Sequence, residues 1–134
     1  MPTDTGNNLG LYLVNAVAGN QGTPGAPLLH LSLLVNSVTG AITGQAMQTQ
    51  ALQPPGDKIV VGNVTGSLRS TGLGSYTQVV YLTGSALVSF PPPAIGSYVA
   101  PFTAHFATDQ KWNGVGGWTL GATNVDDVPI KVQN

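Results

Sequence analysis

Two histidines, His30 and His105, are the side chains of this sequence best suited to proton transfer or metal ligation near neutral pH. Each falls in a segment where apolar and polar residues alternate, on the face opposite the bulkier apolar side chains. Neither has a second ligand at a spacing that metal sites use, such as His-x-His or His-Glu-x-x-His. The simpler interpretation is a half-exposed histidine on a strand. Catalysis or metal binding is the alternative, and it gains support if the two strands are neighbours.

The acidic residues are five aspartates, two of which, Asp126 and Asp127, are adjacent before the last predicted strand. Adjacent carboxylates bind a hard cation when carbonyl oxygens converge on them, but no calcium-loop pattern surrounds this pair. A solvated turn is therefore the favoured interpretation. An enzyme would require His105 and Asp109 to share a pocket in which the titration of the histidine is displaced.

Catalytic sequence patterns are missing. The chain has no Gly-x-Ser-x-Gly elbow, no phosphate-binding Gly-x-x-x-x-Gly-Lys-Ser/Thr loop and no dinucleotide fingerprint. It also has no cysteine, which excludes disulfides and thiolate metal ligands. The sequence therefore predicts a non-enzymatic protein without catalytic residues, a metal or a cofactor.

Trp112 and Trp118 flank a glycine-rich stretch and share one strand parity, as Tyr98, Phe102 and Phe106 do on the preceding predicted strand. Aromatic side chains dominate β cores, so packing in the core is the first interpretation. The glycines between the tryptophans offer little side-chain cover, and a partly exposed indole could stack on a sugar ring. A lectin-like carbohydrate-binding module that uses Trp112 or Trp118 is therefore one functional hypothesis.

Charge is scarce in this chain. Charged residues make up 7% of it and the net charge is −1, whereas a charged share of about 25% is usual. A nearly neutral surface offers no electrostatic attraction to nucleic acid or to an anionic membrane, and it favours self-association. The first residues lack the pattern of a secretory signal, and no apolar stretch has the length of a membrane span. We therefore expect a cytoplasmic protein.

Alternating apolar residues between Gly- and Pro-rich turns predict an all-β protein. Helix is disfavoured because glutamate is absent, lysine and arginine are scarce, and valine and threonine are plentiful. One domain covers residues 1–134, with residues 1–8 as a flexible N-terminal tail. About eight strands in an antiparallel meander are expected at 9–18, 28–36, 40–51, 58–69, 76–90, 97–108, 111–121 and 127–132.

Glycine follows an aliphatic residue and a threonine at four positions, Gly40, Gly44, Gly66 and Gly84. Glycine inside a strand marks a bulge, a bend or a close approach of another backbone. These positions predict a strongly curved sheet. Such a sheet forms either a single antiparallel β-barrel or a tightly curved β-sandwich.

Apolar residues also occur on the strand faces predicted to point outward, at Leu34, Val79, Tyr81 and Leu87. A monomer normally avoids large exposed apolar patches. We therefore expect a binding or assembly domain that forms a homo-oligomer through its sheet faces, with Leu34, Val79 and Leu87 as interface candidates.

A closed barrel permits a different function, in which the interior holds a small apolar ligand. His30 or Tyr81 would then supply a polar group for that ligand. His105 is a further candidate for ligand binding.

Four segments of the chain carry a resemblance to a known family. They are LYLV at 11–14, GTPGAPLLHLSLLVN at 22–36, QALQPP at 50–55 and DVPIKV at 127–132. In this order they are similar to DUF1842, a small bacterial family of domains of unknown function, over nearly the whole chain. The resemblance implies a bacterial origin and a single whole-domain unit. It implies no mechanism, because the matching segments are loops and apolar strands.

Overall fold

Eight β-strands form this protein in the computed structural model, which describes residues 10–51, 57–72 and 74–133. The strands are β1 Leu11–Ala18, β2 Leu28–Asn36, β3 Ala41–Thr49, β4 Lys58–Ser70, β5 Gln78–Ser89, β6 Ser97–Thr108, β7 Gly114–Leu120 and β8 Thr123–Val132. Each strand pairs antiparallel with the next. Pairing of β1 with β8, from Ala16 opposite Val132 to Ala18 opposite Ile130, closes the sheet into a barrel.

The predicted all-β meander of eight strands is confirmed, and the structure selects the closed barrel over the sandwich. The predicted tail at residues 1–8 lies outside the described residues. Within the described ranges, no helix has the length and apolar character needed to cross a bilayer.

The start of β7 differs from the prediction, which included Trp112 in the strand. Trp112 instead lies in the preceding turn, with a φ of 67°. Asp109 stabilises this turn, because its Oδ1 accepts hydrogen bonds from the backbone N–H groups of Lys111 at 2.8 Å and Asn113 at 3.1 Å. The strand parity assigned to Trp112 from the sequence is therefore wrong.

The start of β8 also differs, since the solvated turn predicted at Asp126 and Asp127 is part of the strand. These two residues lie opposite the single residue Gly117 of β7, where the pairing register shifts. Asp127 has a φ of 55°. The extra residue is a β-bulge, which a sequence pattern of alternation does not distinguish from a turn.

Side chains fill the interior of the barrel. The bulkiest are Phe102 and Phe106 of β6, Trp118 of β7 and Trp112 of the turn between these strands. They pack with leucines of β2 and alanines of several strands. An eight-stranded barrel has an interior just wide enough for such a core. Core side chains thus occupy the space in which the ligand-binding alternative places an apolar molecule.

Threonine covers much of the outer face. Five threonines lie directly opposite one another on five successive strands, and together they form a row halfway along the barrel, at Thr43, Thr65, Thr83, Thr103 and Thr119. Cross-strand threonine pairs contribute up to about 1 kcal/mol each. This row provides a polar surface without charge and separates the apolar patches on either side of it.

The ladder between β4 and β5 ends at the pair Thr65–Thr83. Close to this point β4 has two residues, Gly62 and Asn63, opposite the single residue Gln45 of β3. Such a bulge bends the strand that contains it and increases its twist. The second half of β5 therefore has β6 as its only ladder partner among the described residues.

On the other side, the ladder between β6 and β7 ends at Phe102–Leu120. Residues 84–101, called the ribbon below, consequently form a two-stranded extension with its own connecting turn. The inner face of the ribbon belongs to the barrel core, since Ala86 and Ala100 are buried. Its outer face has no covering strand in the described part of the chain.

Candidate interaction surfaces

The outer face of the ribbon is apolar and exposed. Leu87 and Val99 lie directly opposite each other on β5 and β6, with 73% and 66% of their surfaces exposed. Ile95, in the connecting turn, is 96% exposed. Phe90 and Tyr98 are exposed too, but by strand alternation they lie on the inner face of the ribbon, which Val88 shares. The ribbon contains no charged residue. An exposed apolar surface of this kind is typical of contact with another macromolecule.

Sequence reasoning identified only Leu87 of this surface. Val99 is twelve residues away and becomes its neighbour through the hairpin register. Tyr98 has the strand parity of Phe102 and Phe106, as predicted, but it lies on the ribbon and is exposed rather than buried. Its ring contacts that of Phe90, with centroids 5.3 Å apart. The run of three prolines after β5 is the sequence signal that marks the hairpin turn.

A second surface lies beyond the threonine row and brings together three of the predicted residues. Tyr81 is directly opposite His105, and Val79 follows on the same outer face of β5. All three side chains are exposed. Arg69 lies opposite Val79 on β4, so this surface is partly charged.

A groove of about 390 Å³ crosses β7 next to His105. His105 and Val79 line one side of it, and Asp126 and Asp127 line the other. A Cβ atom on Gly117 would overlap the carbonyl oxygen of Val125, so glycine allows the bulged β8 backbone to approach β7 closely beside this groove. Carboxylates, an imidazole and apolar walls in one groove suit a small polar ligand.

The structure does not bring the two histidines together. His30 lies on β2, which neighbours β1 and β3, whereas His105 lies on β6 between β5 and β7. Nε2 of His30 is 3.3 Å from Oγ1 of Thr49 on β3. Asp109 stabilises its own turn and does not line the groove of His105. The two histidine strands are not neighbours, so the structure gives no support to catalysis or metal binding by both histidines.

Both tryptophans lie in the barrel core, in agreement with their interpretation as core residues. Nε1–H of Trp118 donates to Oε1 of Gln48 at 2.8 Å, and Nε1–H of Trp112 donates to the hydroxyl of Tyr12 at 3.2 Å. Trp112 is 2% exposed and Trp118 is 1% exposed. In this conformation neither ring offers a face on which a sugar could stack.

Leu34 belongs to a third apolar surface, formed with Leu13 directly opposite it on β1. Both side chains are exposed. The interface candidates Leu34, Val79 and Leu87 thus lie on three separate parts of the outer surface. They offer three alternative interfaces, which experiments can distinguish.

The fold and these surfaces define a closed antiparallel β-barrel with a packed interior, in which the candidate recognition sites lie outside. The model of the family described as a domain of unknown function (DUF1842) matches residues 9–123. The chain therefore belongs to the DUF1842 family, as its sequence resemblance indicates. Among curated proteins, no relative matches the chain.

Proposed function

We propose that this protein is a non-enzymatic assembly domain that forms a homodimer through the ribbon. The observation that supports the proposal is the exposed, uncharged surface around Leu87 and Val99. The surface of Val79 adjoins the charged residues Arg69 and Asp126. Charged residues are depleted at the centres of protein interfaces, which favours the ribbon over the surface of Val79. Leu34, the third candidate, is only 39% exposed, against 73% for Leu87.

The energetics are sufficient for a dimer only if the whole ribbon takes part. Burying a leucine side chain contributes about 1.5–3 kcal/mol, so Leu87 of two copies contributes about 3–6 kcal/mol. Association costs about 4–15 kcal/mol in lost translational and rotational freedom. Ile95, which is 96% exposed, is therefore expected to be part of the interface.

Replacing Leu87 by Lys tests the interface. Leu87→Lys removes apolar contact from both copies and brings two cations close together, so we expect the dissociation constant to rise about a hundredfold or more. The measurement is sedimentation equilibrium over a concentration series, with the wild type expected to be a dimer.

Val38→Lys is the matched control, because Val38 is an exposed aliphatic residue in the turn between β2 and β3. It adds the same charge outside the ribbon and is expected to leave dimerisation unchanged. A wild-type protein that sediments as a monomer throughout the series would contradict the proposed function.

A second candidate function is the binding of a small saccharide in the groove between His105 and Asp126. Asp126 supports it, since its exposed carboxylate can accept hydrogen bonds from sugar hydroxyls while Val79 and Val115 contact the carbon framework. This candidate keeps the carbohydrate hypothesis but moves it from the buried tryptophans to the outer surface.

The test is an NMR titration with galactose, glucose and N-acetylglucosamine. Amide shifts are expected at Gly116 and Gly117, which adjoin Asp126, and Asp126→Ala is expected to remove them. Asp57→Ala makes the same change of charge at the start of β4, outside the groove, and should leave the shifts in place. No shift with any of the three sugars would argue against the saccharide.

A further inference from the structure

The outer edge of β5 in the ribbon presents backbone groups that no described strand pairs with. Phe90 N–H donates to the carbonyl of Gly96 on the β6 side, whereas Ser85 N–H donates to Oδ1 of Asn63 on the opposite side. Backbone groups of successive residues in a strand alternate between the two sides. The N–H and C=O of Leu87 therefore point away from β6, where β5 has no ladder partner among the described residues.

Ser89 has the same orientation as Leu87, so the backbone groups of both residues can pair with another strand. Edge strands of monomers are usually protected by lysine, proline or a covering element. The β6 edge of the ribbon has such protection at Pro101, which lacks an N–H. The β5 edge has neither proline nor a charged side chain from residue 84 to 90.

The sequence of this edge is nearly symmetric about Leu87. Ser85, Ala86, Leu87, Val88 and Ser89 read similarly in both directions. When two copies of such a strand pair antiparallel about a twofold axis, Leu87 meets Leu87, each serine meets a serine, and alanine meets valine. Like residues on like faces make the edge complementary to itself, which is the requirement of an isologous interface.

We infer that the dimer forms by antiparallel pairing of the β5 edge with the same edge of a second copy, with the twofold axis at Leu87. This inference rests on the proposed homodimer and specifies how its two chains meet. Leu87 exchanges two backbone hydrogen bonds with its counterpart, and N–H of each Ser89 donates to C=O of Ser85 in the other copy. Val99 and Leu87 of both copies then form one apolar row across a continuous four-stranded sheet.

Disulfide trapping tests the register, and the natural chain is suited to it because it has no cysteine. Ser85→Cys and Ser89→Cys chains, mixed and mildly oxidised, are expected to form a heterodisulfide, since these positions are directly opposite in the inferred pairing. Each variant alone should stay largely uncrosslinked, because like positions are then about 13 Å apart. Non-reducing electrophoresis and intact mass measure the products.

The absence of a heterodisulfide in a mixture that sedimentation shows to be dimeric would overturn the edge pairing while leaving the proposed homodimer in place. A monomeric mixture would overturn the edge pairing too. If the wild type is monomeric as well as the mixture, the proposed homodimer is also wrong.

Proline substitution tests the backbone bonds. Leu87→Pro removes the N–H that faces the open edge, a change that an edge strand tolerates, and it is expected to abolish dimerisation with the fold retained by circular dichroism. Leu87→Ala keeps the N–H and should weaken the dimer less. Ser97→Pro makes the matched change on the opposite edge of the ribbon, since Ser97 lies opposite Ser89 and its N–H points away from β5, and it should leave the dimer intact.

If Leu87→Lys dissociates the dimer but Leu87→Pro does not, the ribbon faces pack together without strand pairing. That result would overturn the inference and retain the proposed function.

Discussion

Replacing Trp118 by Phe is expected to lower the free energy of unfolding by about 2–4 kcal/mol, a large share of the roughly 5–15 kcal/mol that stabilises a domain of this kind. Two physical effects add. The smaller ring leaves a cavity in a closely packed core. The loss of Nε1–H also leaves Oε1 of the buried Gln48 without the hydrogen bond that it accepts at 2.8 Å.

A second substitution separates these two effects. Gln48→Met has nearly the same shape and removes the polar atoms, so the double variant Trp118→Phe with Gln48→Met is expected to recover about 1 kcal/mol or more. Urea unfolding at equilibrium, at one fixed protein concentration, measures the difference. A double variant no more stable than Trp118→Phe alone would show that the cavity accounts for the whole loss.

Replacing Gly44 by Ala is expected to destabilise the barrel by about 3 kcal/mol, since it combines backbone strain with overlap of atoms. Gly44 has a φ of 156° and lies next to the bulge between β3 and β4. A Cβ atom there would overlap the carbonyl oxygen of Ser32 and lie 2.9 Å from Cα of Leu33. The neighbouring β2 backbone cannot move away without losing its own pairing.

Gly62→Ala provides the matched control on the adjacent strand. Gly62 lies in the bulge of β4, has no positive φ and has no heavy atom within 4 Å of the position where a Cβ would lie. Its replacement should change the free energy of unfolding by no more than about 0.5 kcal/mol. Equal destabilisation by the two substitutions would contradict the role assigned to close approach at Gly44.

The repeated glycine pattern indicated where strands bend or approach each other closely. Its occurrences at Gly44, Gly66 and Gly84 predicted bends or close approaches within strands. In the structure a Cβ at Gly66 would overlap the carbonyl oxygen of Tyr81, and one at Gly84 would lie 2.9 Å from Cγ1 of Val61, where β5 separates from β4. Sequence reasoning thus located the curvature, because close backbone approach restricts the residue type directly.

The candidate sites were predicted less completely. Leu87, Val79 and Tyr81 were correctly placed on outward faces, because alternation along a strand separates its two faces. Val99 and Asp126 were not linked to them, since a residue's neighbour on the next strand depends on turn length and bulges. Trp112 was assigned to a strand because a positive φ at a non-glycine residue leaves no sequence signal.

The sequence by itself determined an all-β meander of eight strands, the inward and outward faces of most of them, and membership of the DUF1842 family. Alternation and turn residues are local properties, so they can be recognised without knowing which strands meet. Only the tertiary structure decided that β8 closes on β1 and that β4 leaves β5 at Thr65. Those outcomes depend on the summed twist, register shifts and packing of all strands, and they are what exposes the edge at Leu87.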